Sequence, residues 1–355
     1  MAYTTIDDPS AYFHTQLYTG NGSSGLSITN DANAGDFQAD LLWIMPRSSG
    51  DNGVIFDSNR GEDKQLKSNG TDAEDTHSPA RVTIESDGFD LDTTDSNYNG
   101  SGNTYVSWQW KCNGGTTATN SSGDVTSTVQ TNTTAGFSIV TYTGNGTDGA
   151  SIGHGLSGAW DLIIVKNRGQ TDYWTVDREP TSANNKALLL HDPSQQAGHG
   201  TVHFQGSNGL FTAHSNGDLG MGNGNTETYV AYVWKQIQGY SKFGTYTGNG
   251  NADGPFQYCG FKPAFIITKK TNGSANWQIR DNKRDSYNEN SDQILWADIN
   301  DTEVASTNNL IDFLSNGFKL KGDGGDNNGN GDTFFYMAFA EHPFVSSKGV
   351  PTTAR

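Results

Sequence analysis

The residues best suited to chemistry in this chain are carboxylates set among amides and glycines. Residues 323–332 read Asp-Gly-Gly-Asp-Asn-Asn-Gly-Asn-Gly-Asp, with Gly/Asn/Asp-rich counterparts at 92–103 and 218–226. Hard cations take oxygen ligands from a tightly turned backbone, so Asp323, Asp326 and Asp332 are the candidate calcium ligands. The run lacks the spacing and the final Glu of an EF-hand. The competing reading is a hairpin loop that recurs because a fold recurs, and no metal-ligating residue is assigned. Four of the eight histidines, His191, His199, His203 and His214, share one short span. No Cys lies near them and no His-x-His or His-Glu-x-x-His occurs, so they read as surface side chains rather than zinc ligands. Residues 155–159, Gly-Leu-Ser-Gly-Ala, miss the last glycine of a nucleophile elbow. Among 39 carboxylates some pair must lie close, but none is singled out for glycoside hydrolysis. Trp43, Trp160, Trp174, Trp277 and Trp296 offer faces for sugar stacking if exposed, although such residues in strand runs are more often core. No catalytic or cofactor-binding residue is assigned.

The elements that would position these residues come in threes. Tyr-Thr-Gly-Asn-Gly occurs at 18–22, 142–146 and 246–250. An extended segment precedes each copy, and a short apolar run follows some twenty residues later, at 41–45, 162–165 and 265–268. Then come Ser86-Asp87-Gly88-Phe89, Ser207-Asn208-Gly209-Leu210 and Ser315-Asn316-Gly317-Phe318, and each copy ends on an aromatic segment, at 105–110, 229–234 and 334–339. Five features in one order, three times, define three copies of one module. Gly and Asn accept positive φ at little cost, so Gly-Asn-Gly reads as the turn ending a first strand. A phosphate-binding glycine loop would lead into a helix, which these do not.

Helical signals are scarce. The apolar runs are short, rich in Ile, Val and aromatics, and bounded by Gly or Asn. The best helical candidate, residues 183–190, is under three turns. The expected fold is all-β: three tandem jelly-roll or lectin-like β-sandwich modules strung in a row. The boundaries are an N-terminal arm 1–11, modules at 12–111, 136–238 and 239–345, a Gly/Ser/Thr-rich linker at 112–135 that has room for a short strand at 125–129, and a polar tail 346–355. The short join at 238–240 predicts rigid packing of the second and third modules, with the first at a different angle. In the closing segment of the first module, Val106, Trp108 and Trp110 share the core face; Tyr105, Ser107 and Gln109 face solvent or a neighbour.

The formal net charge is −17, which argues against nucleic-acid phosphates and against adsorption to anionic membranes by charge. Charged residues make up 17% and aromatics 11%, a balance unlike that of disordered chains. No apolar run reaches the length of a membrane-spanning helix. The start, residues 1–8, lacks the basic and apolar regions of a signal peptide. Cys112, where the first module passes into the linker, and Cys259, in the third module, read as two free thiols.

Several phrases together resemble a known family. They are Ala11-Tyr12-Phe13-His14-Thr15 leading into Tyr18-Thr19-Gly20-Asn21-Gly22, Gly136-Phe137-Ser138-Ile139-Val140-Thr141-Tyr142, Tyr240-Ser241-Lys242-Phe243-Gly244, and Ala338-Phe339-Ala340-Glu341-His342-Pro343-Phe344. The set resembles a repeated module in virion proteins of marine tailed bacteriophages, a family mostly of unknown function and likened to concanavalin-A-like lectin sandwiches. The resemblance implies a non-enzymatic structural protein at the virion surface, either a tail-fibre or spike component that contacts the host or a capsid decoration protein. A glycan-degrading tail enzyme is the further alternative, and a bacterial carbohydrate-binding protein, for which a signal peptide would be expected, is another. Expected partners are other virion proteins, further copies of the chain (a trimer if it is a fibre) and a host-surface glycan, with no nucleic acid and no membrane insertion. The resemblance carries over no site residue.

Overall fold

The computed structural model describes every residue except 1, 32–36, 179–185, 195–196, 199–203, 216–221, 286–287, 289–291 and 353–355. The first repeat contains β1 (Phe13–Thr19), β2 (Leu26–Thr29), β3 (Leu41–Pro46), β4 (Val54–Asp57), β5 (Lys64–Lys67), β6 (Asp75–Thr76), β7 (Val82–Glu85), β8 (Gly88–Leu91), the single turn α1 (Ser96–Asn99) and β9 (Thr104–Trp110). The second contains β10 (Ala118–Asn120), β11 (Ser127–Asn132), β12 (Phe137–Thr143), β13 (Ala150–Gly153), β14 (Leu162–Asn167), β15 (Trp174–Asp177), β16 (Lys186–Leu189), β17 (Ala197–Gly198), β18 (Gly206–Ser207), β19 (Leu210–Ala213) and β20 (Thr228–Trp234). The third contains β21 (Ser241–Thr247), β22 (Phe256–Tyr258), β23 (Phe261–Lys270), β24 (Gln278–Asp281), β25 (Asp292–Trp296), β26 (Val304–Ser306), β27 (Ile311–Leu314), β28 (Gly317–Leu320), α2 (Gly325–Asn328) and β29 (Thr333–Pro343).

The fold is all-β, and its pairing order repeats. The large sheets run β1-β9-β3-β4-β5-β6, then β12-β20-β14-β15-β16-β17, then β21-β29-β23-β24-β25-β26. Each is accompanied by a three-stranded sheet: β2-β8-β7, β13-β19-β18 and β22-β28-β27. Tyr18, Tyr142 and Tyr246 occupy equivalent register positions, opposite Tyr105, Tyr229 and Phe334. Two departures from the sequence reading are local. The candidate helix at 183–190 is, where it is described, strand β16 over Lys186–Leu189, in which Leu188 and Leu189 pair with Val176 and Thr175 of β15. The stretch 112–135 carries β10 and β11, and β11 pairs along the whole of β12, so this segment extends the second sheet.

The larger departure concerns how the repeats meet. One face of all three large sheets contributes to a single apolar core that includes Trp43, Trp108 and Trp110 from the first, Trp174, Tyr232 and Trp234 from the second, and Phe265, Trp277 and Phe339 from the third. Trp110 lies 6.4 Å from Trp234 and 5.6 Å from Phe339, ring centre to ring centre. At the middle remains an apolar cavity of about 20 Å³ lined by all three sheets, small enough to leave the packing continuous. The opposite faces pack into three separate clusters beneath the small sheets. The repeats therefore close on one another around a shared centre and are not strung in a row, and the first is held by the same core as the others. Burial on both sides explains why Ser107 and Gln109 are buried where a solvent-facing side was open to them.

The seams follow the same pattern. Glu74 of the first repeat binds Arg168 of the second at 2.8 Å, and Glu303 of the third binds Arg47 of the first at 2.8 Å. Buried Arg60 and Arg284 hold those two glutamates from behind and also bind Asp57 and Asp281. Between second and third, Trp277 Nε1 donates to the Leu189 carbonyl at 2.7 Å, as Trp174 Nε1 does to Lys67 between first and second, at 2.8 Å. The N-terminal arm docks on its own chain: Thr4 Oγ1 donates to the Gln238 carbonyl, Ile6 enters the shared core, and Asp7 binds Ser347 of the tail. Cys112 and Cys259 are buried free thiols.

Candidate functional site

The Gly-Asn-Gly turns and the Gly/Asn/Asp-rich loops turn out to be two halves of one lock. Asn99, Asn223 and Asn328 are fully buried and equivalent. Each Oδ1 accepts the backbone N–H of the turn asparagine: Asn21 at 3.0 Å, Asn145 at 3.0 Å and Asn249 at 2.9 Å. Each Nδ2 donates to the backbone beyond the turn, at Ser23, Thr147 and Asn251. The tyrosine of each motif reaches across to the same loop, donating to the carbonyls of Tyr98, Gly222 and Asn327. A Cβ on Gly20, Gly144 or Gly248 would collide with the Gly100, Gly224 or Gly329 carbonyl, so only glycine permits this approach.

This lock accounts for the acidic loop of the third repeat. Asp323 and Asp326 are exposed, whereas Asp332 is half-buried and pairs with Lys270 at 2.6 Å. Among the described residues no group of three or more His, Cys, Asp or Glu is placed to hold a metal ion. In the first repeat Asp95 caps α1 and binds Arg81 at 2.8 Å, and the equivalent cap position of the third is Gly324. Residues 218–221 of the second loop lie outside the described residues.

The two described histidines of the set, His191 and His214, have separate partners. His199 and His203 lie outside the described residues. His191 stacks on Tyr173, and its Nδ1 faces the Trp174 N–H at 3.3 Å; desolvation pushes its pKa down to about 4. His214 pairs with Asp148 at 3.0 Å, on the small-sheet side. Of the tryptophans considered for sugar stacking, Trp43, Trp160, Trp174 and Trp277 are buried, and Trp296 is half-buried.

An open cleft lies where the third repeat meets the first. It has a volume of about 410 Å³ and is lined by Asp8, His14, Asp31, Lys283, Glu341 and His342, among others. The start of β1 supplies His14 and Thr15, the corner after β24 supplies Asn282 and Lys283, and the end of β29 supplies Glu341 and His342. Lys283 Nζ binds Asp31 at 2.5 Å and Lys262 Nζ binds Glu341 at 3.2 Å. His14 Nε2 lies 3.3 Å from Gln16 Oε1 and 3.8 Å from Asp31; burial lowers its pKa, outweighing the nearby Gln16 and Asp31, so the ring is neutral at pH 7. The Thr15 hydroxyl is buried with no hydrogen-bond partner. The cleft offers donors, acceptors and paired charges, a recognition surface. Its residues carried no chemical signal in the sequence, although His14, Glu341 and His342 sit inside the phrases on which the family resemblance rests.

A smaller cleft of about 220 Å³ occupies the seam between second and third repeats, bounded by Asp161, Gln236, Phe243 and Thr245. The corresponding seam between first and second is filled. There Asn59 Nδ2 donates to the Thr128 and Ile139 carbonyls at 3.1 and 2.8 Å, and Gln130 bonds Ser58 Oγ.

These features define a class: an all-β chain in which three copies of one pairing order close on a common core. The chain belongs to the family described as Domain of unknown function (DUF7483), which matches residues 8–343. No curated protein and no solved structure matches it.

Proposed function

We propose that this protein is a non-enzymatic structural protein of a tailed-phage virion, a tail-fibre or spike-type component that contacts the host surface. In this reading each repeat is a jelly-roll or lectin-like β-sandwich, a large sheet with its small sheet over it. The observation that carries the reading is the shared aromatic core. It joins three similar units into one rigid hub and holds the Gly-Asn-Gly loops at the far ends of the strands that meet in it. Such a hub suits display of loops outward. The acidic surface and the resemblance of the sequence phrases to phage virion modules support the same setting. Partners are other virion proteins and a host-surface glycan. The aromatics that suggested a homo-oligomer are buried inside one chain, so any trimer would come from the particle's own symmetry.

Location decides the proposal. Antibody-labelled particles should carry the protein on the tail, and purified protein should bind host cells. Label on the head, with particles that fall apart when the gene is deleted, would replace adhesion by capsid decoration. Reducing sugar released from host polysaccharide would overturn the non-enzymatic reading. Absence of the protein from purified particles would overturn the virion assignment.

A further inference from the structure

The three seams are equivalent in design, and among the described residues only the one between first and second repeats is filled. In the second sheet the first strand, β12, is covered on its outer edge by β11. Its counterparts β1 and β21 are edge strands with no further strand among the described residues. The pairing fixes which groups of β1 point outward. Lys111 N–H donates to the Tyr12 carbonyl and Gly20 N–H to the Asn103 carbonyl, so even-numbered residues bond β9. In an antiparallel ladder the alternate residues, Thr15 and Leu17, turn their backbone groups away. Thr15 is equivalent to Ile139, the β12 residue that faces Gln130 of β11.

The side chains match as well. Ser58 and Asn59, which grip β11 through Gln130 and the Thr128 carbonyl, follow Asp57. Asn282 and Lys283 follow the equivalent Asp281, and both line the cleft beside β1. The site thus has a strand edge that no other strand pairs among the described residues, with the Leu17 carbonyl held by Gln16 Nε2. It also has an amide in the place of Ser58, a cation, paired with Asp31, in the place of Asn59 and an unpartnered buried hydroxyl on Thr15.

We propose that the cleft between the third and first repeats binds an extended segment of a partner protein by strand addition to β1. The segment is polar and rich in Ser, Thr and Gln, as β11 is (Ser-Thr-Val-Gln-Thr-Asn), and it is not acidic, since the chain already carries an excess of carboxylates. Main-chain hydrogen bonds supply the affinity, and a glutamine opposite Asn282 supplies the register. Bare edge strands are liabilities in soluble proteins unless covered or blunted, and strand addition is the covering that β11 already demonstrates. This inference does not depend on the phage assignment, because it needs only the seam.

The probe is a labelled peptide of residues 124–134 titrated into the intact protein. Saturable binding tighter than about 1 mM is expected, with hydrogen-exchange protection of the Thr15 and Leu17 amides. N-methylation of the peptide at Thr128 and Gln130, whose amides face the docking edge, should abolish binding, whereas N-methylation at Val129 should leave it intact. Asn282→Leu should weaken binding about tenfold. The proposal is overturned by no binding at about 1 mM, by equal loss from all three N-methyl positions, or by protection confined to β12 or β21.

Discussion

Removing one buried asparagine should unfold more than the loop that contains it. Asn328 makes four hydrogen bonds: Oδ1 accepts from Asn249 N, and Nδ2 donates to Asn249 Oδ1, the Asn251 carbonyl and the Gly322 carbonyl. In Asn328→Ala the Gly322 carbonyl is left buried and unpaired, at about 1–3 kcal/mol. The part-buried partners regain some water and lose about 0.5–1.5 kcal/mol each, in net terms. A loss of about 3 kcal/mol overall is expected, read as a lower urea midpoint at unchanged slope. Asn328→Asp should be at least as damaging, because a carboxylate would face two carbonyl oxygens. The exposed neighbour Asn330→Ala should change stability by less than about 0.5 kcal/mol. Because the three repeats share one core, Asn99→Ala, Asn223→Ala and Asn328→Ala should each move the same single transition. The reasoning is refuted if Asn328→Ala costs under about 1 kcal/mol, or if each variant melts its own repeat while the others stay folded.

Further outcomes are expected at the seams and loops. Glu303→Ala, which removes one of the two carboxylates that hold buried Arg284 and the partner of Arg47 while leaving the Asp281 pair, should cost about 1–3 kcal/mol in denaturant unfolding. Desolvation lowers the pKa of Lys166 and Lys269 to about 8 and raises that of Asp298 to about 7. For the lysines the unfolded chain binds more protons from about pH 8 to ~10.4, so stability rises with pH across that window. For Asp298 the folded chain binds more protons from ~3.9 to about 7, so stability falls as pH rises there. Desolvation also lowers His154 and His191 to about 4, and for these rings the unfolded chain binds more protons from about pH 4 to ~6.5, so they raise stability with pH and oppose Asp298 across that window. Lys269→Met should flatten the alkaline rise, and Asp298→Asn should make the acid-side rise with pH steeper. Calcium and sodium chloride at matched ionic strength should give the same melting curve; a calcium-specific shift lost in Asp326→Asn would restore the metal reading of that loop.

The repeat, the strand character and the Gly-Asn-Gly turns were legible because each is written in local residue types. Tyr18, Tyr142 and Tyr246 announced equivalent strands, and the turn glycines announced close backbone approach. Closure of the repeats was not read, since equal repeats are compatible with a row or a ring. A trace of it was present. The segments at 41–45 and 162–165 are apolar at every position, and a strand without alternation is buried on both faces. The cleft stayed invisible because its residues are far apart in sequence: His14 and Lys283 meet only when the third repeat returns to the first. The acidic loop left two readings open in the sequence. Its glycines and asparagines are what a calcium loop would also need, but here Asn328 serves the backbone of a neighbouring turn.

The seams also show why three fused copies need not stay alike. In a trimer of one module, a substitution at a seam would strike three times. In a fused chain each seam drifts alone. The tryptophan that bonds a neighbouring carbonyl is present as Trp174 and Trp277, but the third equivalent position is Gly53, where Met45 and Ser68 crowd the space a side chain would need. The caged lysine is present as Lys166 and Lys269, each donating to carbonyls of the preceding repeat, and Met45 stands in the third place. A buried aspartate takes a bond from the next sheet at two seams, Asp57 from Tyr232 and Asp281 from Trp108; at the third, Met337 has no donor to give. The seam between first and second repeats keeps the tryptophan, the lysine and the aspartate bond, and β11 fills it. The seam that closes the ring has neither the tryptophan nor the lysine, and there the cleft of about 410 Å³ stands open beside β1. The seam between second and third repeats keeps the tryptophan and the lysine and still leaves β21 as an edge strand, so an uncovered edge alone does not single out a seam. The closing seam joins such an edge to the larger cleft, which is why it is the place to look for a partner.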